Sequence, residues 1–322
     1  MPLSRPLLLN LTLLSLFSCM GSSSPSARTA VGWQSPLYQD HALVGRIWRA
    51  SDQRFITVAQ LQQELDRKGF LLLGEKHDNP DHHTLRRSLL QQMMAGGTLG
   101  TVSFEMLDSS QQALVDNIDG ADMGSAEALQ AHLQWDAEGW DWNFYGPVLT
   151  DLLGAGVPVR AANISREEMM AIYGGELDAS IANVMNAQQM ERLNLDIDES
   201  HCGMLPASQF PAMVRVQQSR DASMASSLSK AAPVGQRVLI AGNYHVRRDL
   251  GVSNYLTAGI AGATAVPPAD IVALGFIEVS PESNEPADYT EAFSSTAPYD
   301  YLWFTPAVSA EDYCAAMRAA GQ

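Results

Sequence analysis

The sequence predicts an α/β fold in which a parallel-rich central sheet is flanked by helices and carries a helical lobe or lid. Short runs rich in leucine and β-branched residues alternate with longer stretches of helical periodicity, an order typical of parallel sheets. The helical stretches begin at recognisable capping residues, and polar side chains follow directly after several of the strands. With 322 residues and 46% hydrophobic content, the chain can bury one large core.

Short apolar runs bounded by turn residues predict the strands of this sheet. They are Gly69–Lys76, Thr101–Met106, Val157–Asn163, Arg237–Asn243, Ile271–Glu278 and Asp300–Thr305. The helices predicted between them include Val58–Lys68, Pro80–Ala95, Arg166–Tyr173 and Gln209–Lys230. Two further segments, Asp108–Trp142 and Gly174–Leu205, have a helical pattern throughout, and we expect them to form the lobe above the sheet.

Two of these helices have specific start signals. Asn79 followed by Pro80 is typical of an N-cap with proline at the first helical position. Ser165 and Glu168 have the spacing of a capping box, and a Gly-Gly pair ends the same helix.

Residues 1–18 have the pattern of a signal peptide. One basic residue, Arg5, precedes an apolar stretch that is too short to span a bilayer comfortably and that ends in small residues. The letters LFSC that end at Cys19 resemble a lipobox, the cleavage site of bacterial lipoproteins, although Phe17 replaces the small residue usual there. We therefore predict lipid modification of Cys19; the alternative is an ordinary secretory signal with a cysteine nearby.

The segment after Cys19 is predicted to be a flexible tether, because Gly21 to Ser26 is rich in glycine and serine. Met20, in place of an aspartate, resembles the sorting signal of outer-membrane lipoproteins. No later segment has the length and hydrophobicity of a membrane-spanning helix, so the lipid would be the only anchor. The assignment is a signal peptide at 1–18, an anchor and tether at 19–45, and the α/β domain at 46–322.

The charge of the chain bounds its partners. The formal net charge is −16, and loss of Arg5 with the signal peptide makes it −17. A surface this acidic argues against binding to nucleic acid or to anionic lipid.

The cysteines predict a disulfide rather than a metal site. Once Cys19 is lipidated, Cys202 and Cys314 remain, and outside the cytoplasm such a pair favours a bridge that ties the C-terminal tail to the body. No CxxC or HExxH spacing exists, which disfavours the usual zinc sites. His201 is adjacent to Cys202, but adjacent residues rarely present both side chains to one substrate, and no GxSxG motif occurs.

Polar residues gather where the predicted strands end. Glu75, Lys76 and His77 end the first strand and Glu105 ends the second. Asn163, with Arg166 just after, and the run from Asn243 to His245 end two others. Because parallel strands place their carboxyl ends at one edge of a sheet, which is where ligands bind, these residues predict a site on that rim.

These motifs, taken in order, resemble those of the ChaN-like haem-binding lipoproteins. The residues that carry the resemblance are Leu73–Pro80 with His82 and His83, then Phe104-Glu105, Ala162–Arg166, His201–Gly203, Ala241–Arg247 and Tyr299–Pro306. The match extends from about Leu71 to Cys314. Its GExH start (Gly74 to His77) is a weak pattern alone, and it also occurs in erythromycin esterases and TIKI-type metal-dependent proteases of the wider superfamily.

The resemblance implies a periplasm-facing outer-membrane lipoprotein that takes part in haem and iron uptake, storage or transfer, with an outer-membrane haem receptor as the expected partner. It further implies a homodimer that shelters two stacked haems. Each iron would take a tyrosine from one subunit, while histidine and lysine from the other hold the propionates. The candidate haem-binding residues are Lys76, His77, His82, His83, Asn163, Arg166, Tyr173, Tyr244 and His245.

Tyrosine suits ferric haem because a phenolate is a hard anionic ligand. Tyr173 is the preferred iron ligand, since it closes a capped helix just after the rim and stands beside Met169 and Met170, which could form an apolar floor for porphyrin. Tyr244, beside His245, is the second candidate. The alternative for Tyr173 is that it merely ends an amphipathic helix, with methionine as core filler.

Lys76 and His77 could both donate charge-assisted hydrogen bonds to propionates. Strand alternation would place them on opposite faces, so they need not reach one ligand. His82 and His83 fall in the first turn of a helix, whose dipole favours anions, and we expect at least one of them to be a solvated surface residue.

A hydrolase is the rival hypothesis. Glu75, His77, Glu105, Arg166 and His245 could support acid/base hydrolysis or hold a divalent metal. The same residues could instead form a buried polar network that ties strand ends together, and an interaction scaffold is a third possibility.

Overall fold

The computed structural model describes residues 32–120, 122–231, 234–260, 263–290 and 293–320. Within these ranges one mixed sheet contains all the named strands. They are β1 (Ile47–Arg49), β2 (Arg54–Ile56), β3 (Phe70–Glu75), β4 (Leu99–Asp108), β5 (Val159–Asn163), β6 (Gln236–Gly242), β7 (Ile271–Glu278) and β8 (Tyr301–Thr305). The six predicted strands are all present, with ends that differ by at most two residues.

The strands lie in the order β2-β1-β8-β7-β3-β6-β4-β5. From β8 to β5 every neighbouring pair is parallel, whereas β1 is antiparallel to β8 and β2 to β1. Every residue of the central strand β3 is buried, because helices cover both faces of the sheet. The predicted α/β class is therefore confirmed. The sequence did not predict β1 and β2, since three-residue edge strands are too short for a periodic pattern.

Helices connect the strands and build the lobe. They are α1 (Val58–Leu65), α2 (Pro80–Ala95), α3 (Gln112–Asp116), α4 (Ala126–His132), α5 (Trp142–Gly154), α6 (Arg166–Gly174), α7 (Ala179–Ala182), α8 (Ala187–Ser200), α9 (Phe210–Lys230), α10 (Asn243–Val246), α11 (Val252–Ala258) and α12 (Tyr313–Ala320). Of the two predicted helical insertions, the second contains α7 and α8, whereas the first is only partly helical, with α3 and α4 joined by turns and loops. No helix of the described ranges combines the length and hydrophobicity that crossing a bilayer requires.

The predicted caps form as expected. Asn79 Oδ1 accepts the N–H groups of Asp81 at 2.9 Å and His82 at 3.2 Å, and Pro80 occupies the first position of α2. Ser165 and Glu168 form the capping box of α6. These contacts fix where the chain turns from the sheet rim into each helix.

Helix α9 joins the sheet to the lobe. Its C-terminal half packs Ala222 and Leu228 into the same buried cluster as Leu239 of β6. Its N-terminal half extends past the sheet, where Val214 packs against Leu193 of α8 in a separate small cluster. The lobe therefore stands directly above the carboxyl rim.

The predicted tether is too long at its C-terminal end. The N–H groups of Gln34 and Ser35 both donate to the Asp81 carboxylate at 2.9 Å, and Leu43 and Val44 are buried in the core. The packed domain thus begins before residue 46. These contacts join positions far apart in sequence, so composition alone could not indicate them. The predicted signal peptide, Cys19 and the first part of the tether lie outside the described residues.

The Cys202–Cys314 disulfide is present, with the two Cα atoms 5.3 Å apart across a sequence separation of 112. It ties α12 to the turn that follows α8. Up to residue 319, only the side chains of Cys314 and Met317 in this helix are partly buried. The prediction that a bridge fastens the C-terminal tail is confirmed.

Candidate functional site

A cleft of about 440 Å³ opens where β3, β6, β4 and β7 end. Its lining residues are Glu75, Lys76, His77, Glu105, Gly242, Asn243, Tyr244, His245, Ile277 and Glu278. Four of the predicted binding residues, Lys76, His77, Tyr244 and His245, thus meet here. Another cleft, of about 480 Å³, lies at the opposite edge of the sheet, where Arg248 pairs with Asp300 at 2.8 Å.

Lys76 and His77 line the same cleft because β3 ends at Glu75, one residue before them. The expectation that strand alternation separates them is wrong. The Lys76 N–H donates to His82 Nδ1 at 2.9 Å, which holds the chain in a turn rather than in an extended strand. Gly74, near the end of β3, permits α10 to pack closely against the strand, since a Cβ there would lie 2.5 Å from Asn243 Oδ1.

His82 and His83 are both buried, so the expectation of a solvated histidine is also wrong. His82 Nε2 donates to Thr305 Oγ1 at 2.9 Å, and burial lowers the pKa of His82 to about 3. His83 stacks on Phe144 with ring centroids 4.3 Å apart, and burial lowers its pKa to about 4. Both histidines are therefore neutral. Residues outside the helix cover its first turn, and the local sequence gave no sign of this.

Glu75 lies beneath the cleft in a buried ion pair with Arg86 of α2. Tyr145 of α5 donates its hydroxyl to Glu75 Oε1 at 2.7 Å. Burial alone would raise the pKa of Glu75, but the Arg86 guanidinium outweighs this and holds the pKa well below its usual range. Neither Arg86 nor Tyr145 is among the residues that the sequence predicts for the site.

His77 is the part of this network that the cleft exposes, with 36% of its side chain accessible. Its Nδ1 lies 3.2 Å from the Tyr145 hydroxyl, and its Nε2 lies 3.8 Å from Glu105 Oε2. Trp140 packs edge-on against the imidazole at 4.8 Å. Burial lowers the pKa of His77, but the carboxylates of Glu75 and Glu105 outweigh it, so the pKa is raised and the imidazolium is favoured.

Gly242 makes room for this imidazole. A Cβ at position 242 would lie 2.8 Å from His77 Nε2, closer than real contacts allow. The Gly242 N–H also donates to Glu105 Oε2 at 2.7 Å, which fixes the carboxylate that faces His77.

His245 is held between two acids. Its Nδ1 lies 2.7 Å from Asp221 Oδ1, and its Nε2 lies 3.4 Å from Glu105 Oε1. Burial lowers the pKa of His245, but the two carboxylates raise it to about 10. Burial raises the pKa of Glu105, and His245 together with the Gly242 N–H lowers it to about 2. Asp221 was missed, although an acid beside Ala222 on the sheet-facing side of α9 was a usable signal.

These groups form one chain of alternating charge across the rim. In spatial order they are Asp221, His245, Glu105, His77, Glu75 and Arg86. A buried charge is costly unless an opposite charge faces it, and each member here has such a neighbour. His77 alone among the six is substantially exposed to solvent, and the carboxylates around it favour its cationic form.

Lys76 supplies a second cation at the mouth of the cleft. Its Nζ lies 3.1 Å from Glu278 Oε2 and 3.3 Å from Asp78 Oδ1. The side chain is 40% exposed.

The remaining predicted residues lie outside this cleft. Asn163 is buried, and its Nδ2 donates to the backbone carbonyl of Glu105 at 3.1 Å, so it supports the rim from behind. Arg166 is exposed at the start of α6. Tyr173, half-buried at the other end of α6, donates its hydroxyl to Gln209 Oε1 at a long 3.4 Å. Met170 beside it is 59% exposed.

Tyr244 lines the cleft, but its hydroxyl is engaged. It donates to Asp196 Oδ2 of α8 at 2.8 Å, and the ring packs against the lobe cluster. Burial and the Asp196 carboxylate raise the pKa of Tyr244, which disfavours the phenolate. Within the described ranges, no three His, Cys, Asp or Glu side chains are arranged to hold a metal ion.

Comparison with known proteins agrees with this architecture. The profile of a family described as "Haem-binding uptake, Tiki superfamily, ChaN" matches residues 61–256. A solved structure of ChaN from Campylobacter jejuni with cofacially bound haem is similar in fold, at a TM-score of 0.64 and 22% identity over 80% of this chain and 95% of that chain.

A structure of the erythromycin esterase EreC is more distant, at a TM-score of 0.44 and 12% identity over 80% of this chain and 95% of that one. No curated protein sequence is significantly similar. Because the family profile covers more than half of the sequence, the chain belongs to the ChaN family of haem-binding uptake proteins in the Tiki superfamily.

Proposed function

We propose that this protein binds ferric haem through Tyr173 and the rim cleft of a second subunit, and that it stores or passes on haem during iron uptake. The observation that supports this best is that Lys76 and His77 line one cleft, where the carboxylates around His77 favour its protonated form beside the Lys76 ammonium. Haem carries two propionates, and charge-assisted hydrogen bonds to carboxylates are stronger than neutral ones.

Tyr173 is the better iron ligand of the two candidates. Its hydroxyl has one long contact, to Gln209, and the exposed Met170 adjoins it as an apolar surface for porphyrin. The Tyr244 hydroxyl is committed to Asp196 and would have to break that bond. Binding of iron to Tyr173 would therefore break only the long hydrogen bond to Gln209, whereas binding to Tyr244 would break a short one to Asp196.

The distance between Tyr173 and the cleft supports a dimer. Tyr173 contacts Gln209 and the cleft histidine His245 contacts Asp221, and these partners lie 12 positions apart (221 − 209) at the start and middle of α9. At the helical rise, 12 positions correspond to about 18 Å. A separation of this size favours an arrangement in which the tyrosine and the cleft that hold one haem come from different chains. A second copy would bring its cleft to the first copy's tyrosine, and symmetry would then give two haems.

The cellular setting proposed is the periplasmic face of the bacterial outer membrane, with Cys19 lipidated as the anchor. The signal peptide pattern and the residue after Cys19 support it, as does the disulfide, which forms in oxidising compartments. An outer-membrane haem receptor is the proposed partner. The acidic surface is unsuited to docking on anionic lipid.

Haemin titration of the full-length protein in detergent, against a detergent-only blank, tests the proposal. We expect a saturable high-spin ferric spectrum whose charge-transfer band is lost in Tyr173→Phe and kept in the matched control Tyr244→Phe. Sedimentation should shift from monomer to dimer as haemin is added. A featureless titration in which all variants behave alike would refute haem binding.

A hydrolase remains a second candidate because of His77. Its imidazole is accessible and is oriented by Tyr145 and Glu75, and above its raised pKa the neutral ring could act as a general base that takes a proton from water as the water attacks an ester carbonyl. The carboxylates of Glu75 and Glu105 would stabilise the protonated form of this base, and His245 would hold Glu105 in place. Hydrolysis of nitrophenyl esters that disappears in His77→Asn would support this function, and equal rates in both proteins would exclude it.

A further inference from the structure

The mouth of the cleft contains an ion pair that is complete without a ligand. Lys76 Nζ lies 3.1 Å from Glu278 Oε2, and both residues line the cleft. A ligand carboxylate that enters therefore meets a lysine with an anionic partner already in place. Two anions cannot both keep the closest position to one ammonium without repelling each other.

Glu278 is the fixed member of the pair. Its Oε1 accepts a hydrogen bond from Asn79 Nδ2 at 2.8 Å and another from the Val308 N–H at 3.0 Å. Asn79 is fully buried and is itself held as the cap of α2. With Oε1 bound in this way, Oε2 is left facing Lys76, and Glu278 cannot move without losing two hydrogen bonds.

Lys76 is the movable member. Its backbone N–H is fixed to His82 Nδ1 at 2.9 Å, but its side chain is 40% exposed. A lysine ammonium on a flexible four-carbon stem can exchange one carboxylate for another at little cost. Asp78, the other acid near Lys76, is 63% exposed and is not anchored in the same way.

We infer that Glu278 competes with the carboxylates of the ligand for the Lys76 ammonium, and so limits the affinity for haem and the preference for free propionates over their esters. This inference rests on the proposed function, because the competing carboxylates are those of haem. A protein that transfers its ligand benefits from this limit on affinity, because a lysine that bound only the ligand carboxylate would slow the release of haem. Glu278 is thus assigned as a specificity-determining residue of the cleft.

Haemin and haemin dimethyl ester, which lacks the carboxylates, are the probes for the test with the full-length protein. Glu278→Gln keeps an Oε1 acceptor for Asn79 and Val308 and removes the negative charge. We expect it to tighten haemin binding by about three- to tenfold, the size of an ion-pair or charged hydrogen-bond contribution, and to leave the ester within about twofold. Asp78→Asn is the matched control, and its effect should stay under about twofold because the pair is exposed.

Lys76→Met provides a second measurement that does not need Glu278→Gln to fold. Because Glu278 already engages the lysine, Lys76→Met should weaken haemin binding only about twofold in the wild type, and about three- to tenfold in the Glu278→Gln background. If Lys76→Met weakened haemin binding in the wild type by as much as the upper end of that range, Glu278 would not be competing with the ligand for Lys76.

The other outcomes are separable. Wild-type haemin binding that is saturable but unchanged by Glu278→Gln overturns the competition and leaves the proposed function intact. An equal gain for haemin and its ester overturns it as well, because the gain would not come from carboxylates. No haemin binding by the wild type refutes the proposed function, and this inference with it.

Discussion

Arg86→Met is expected to destabilise the protein strongly, because it leaves Glu75 as a buried charge without its cation. Arg86 and the side chain of Glu75 are both inaccessible to solvent, and they form a direct ion pair. Arg86 also donates to the Phe144 carbonyl at 3.2 Å. Methionine fills much of the arginine volume, so the loss reports the charge more than a cavity.

The size of the effect follows from the burial. Removal of one partner of a fully buried ion pair costs about 3–5 kcal/mol, because the remaining charge keeps its desolvation penalty. For a domain of this size, that loss corresponds to a melting temperature roughly 5–15 °C lower. Part of the penalty is avoided if Glu75 takes up a proton, which also removes one of the two carboxylates that raise the pKa of His77.

Urea unfolding at neutral pH, followed by circular dichroism, measures this loss. Arg87→Met is the matched control on the same helix: Arg87 is 42% exposed and pairs with Asp151 at 2.6 Å. An exposed pair of this kind contributes about 1 kcal/mol or less. The double variant Glu75→Gln with Arg86→Met removes both charges and should recover much of the stability. Equal losses for the Arg86 and Arg87 variants would refute the buried-pair reasoning.

Two further predictions concern the histidines of the cleft. The pKa of His245 is raised from 6.5 to about 10 in the folded state, so its protonation stabilises the fold below about pH 6.5 and this stabilisation is lost as the pH rises to about 10. The free energy of unfolding should therefore fall between these pH values, and it should fall less in His245→Gln. A flat profile in the wild type would contradict this prediction. Gly242→Ala should displace His77 and weaken haemin binding by about tenfold, as expected for the loss of a charged hydrogen bond. Gly154→Ala on α5 is the control and should bind haemin normally, because a Cβ at that position meets open space. Equal affinities of the two variants would show that His77 does not contact the ligand.

Local patterns in the sequence determined most of the scaffold. The inner parallel strands β3 and β7 are nearly continuous apolar runs because they are buried on both faces, and such runs can be recognised without knowledge of their neighbours. The caps at Asn79 and Ser165 are equally local, because a cap satisfies N–H groups two or three residues away. The polar residues at the carboxyl ends of the strands then indicated the rim, because parallel strands all end at the same edge of the sheet.

Tertiary packing decided which side chains act together. Tyr145 reaches Glu75 across 70 positions, and Glu105 reaches the Gly242 N–H across 137. No periodic pattern links positions so distant, so the sequence could not pair Arg86 with Glu75 or Asp221 with His245, nor indicate that His82 and His83 are both buried. The residue types of the site were set by the sequence. Their charges were set by burial and by the opposite charge that the fold brings within a few ångströms of each.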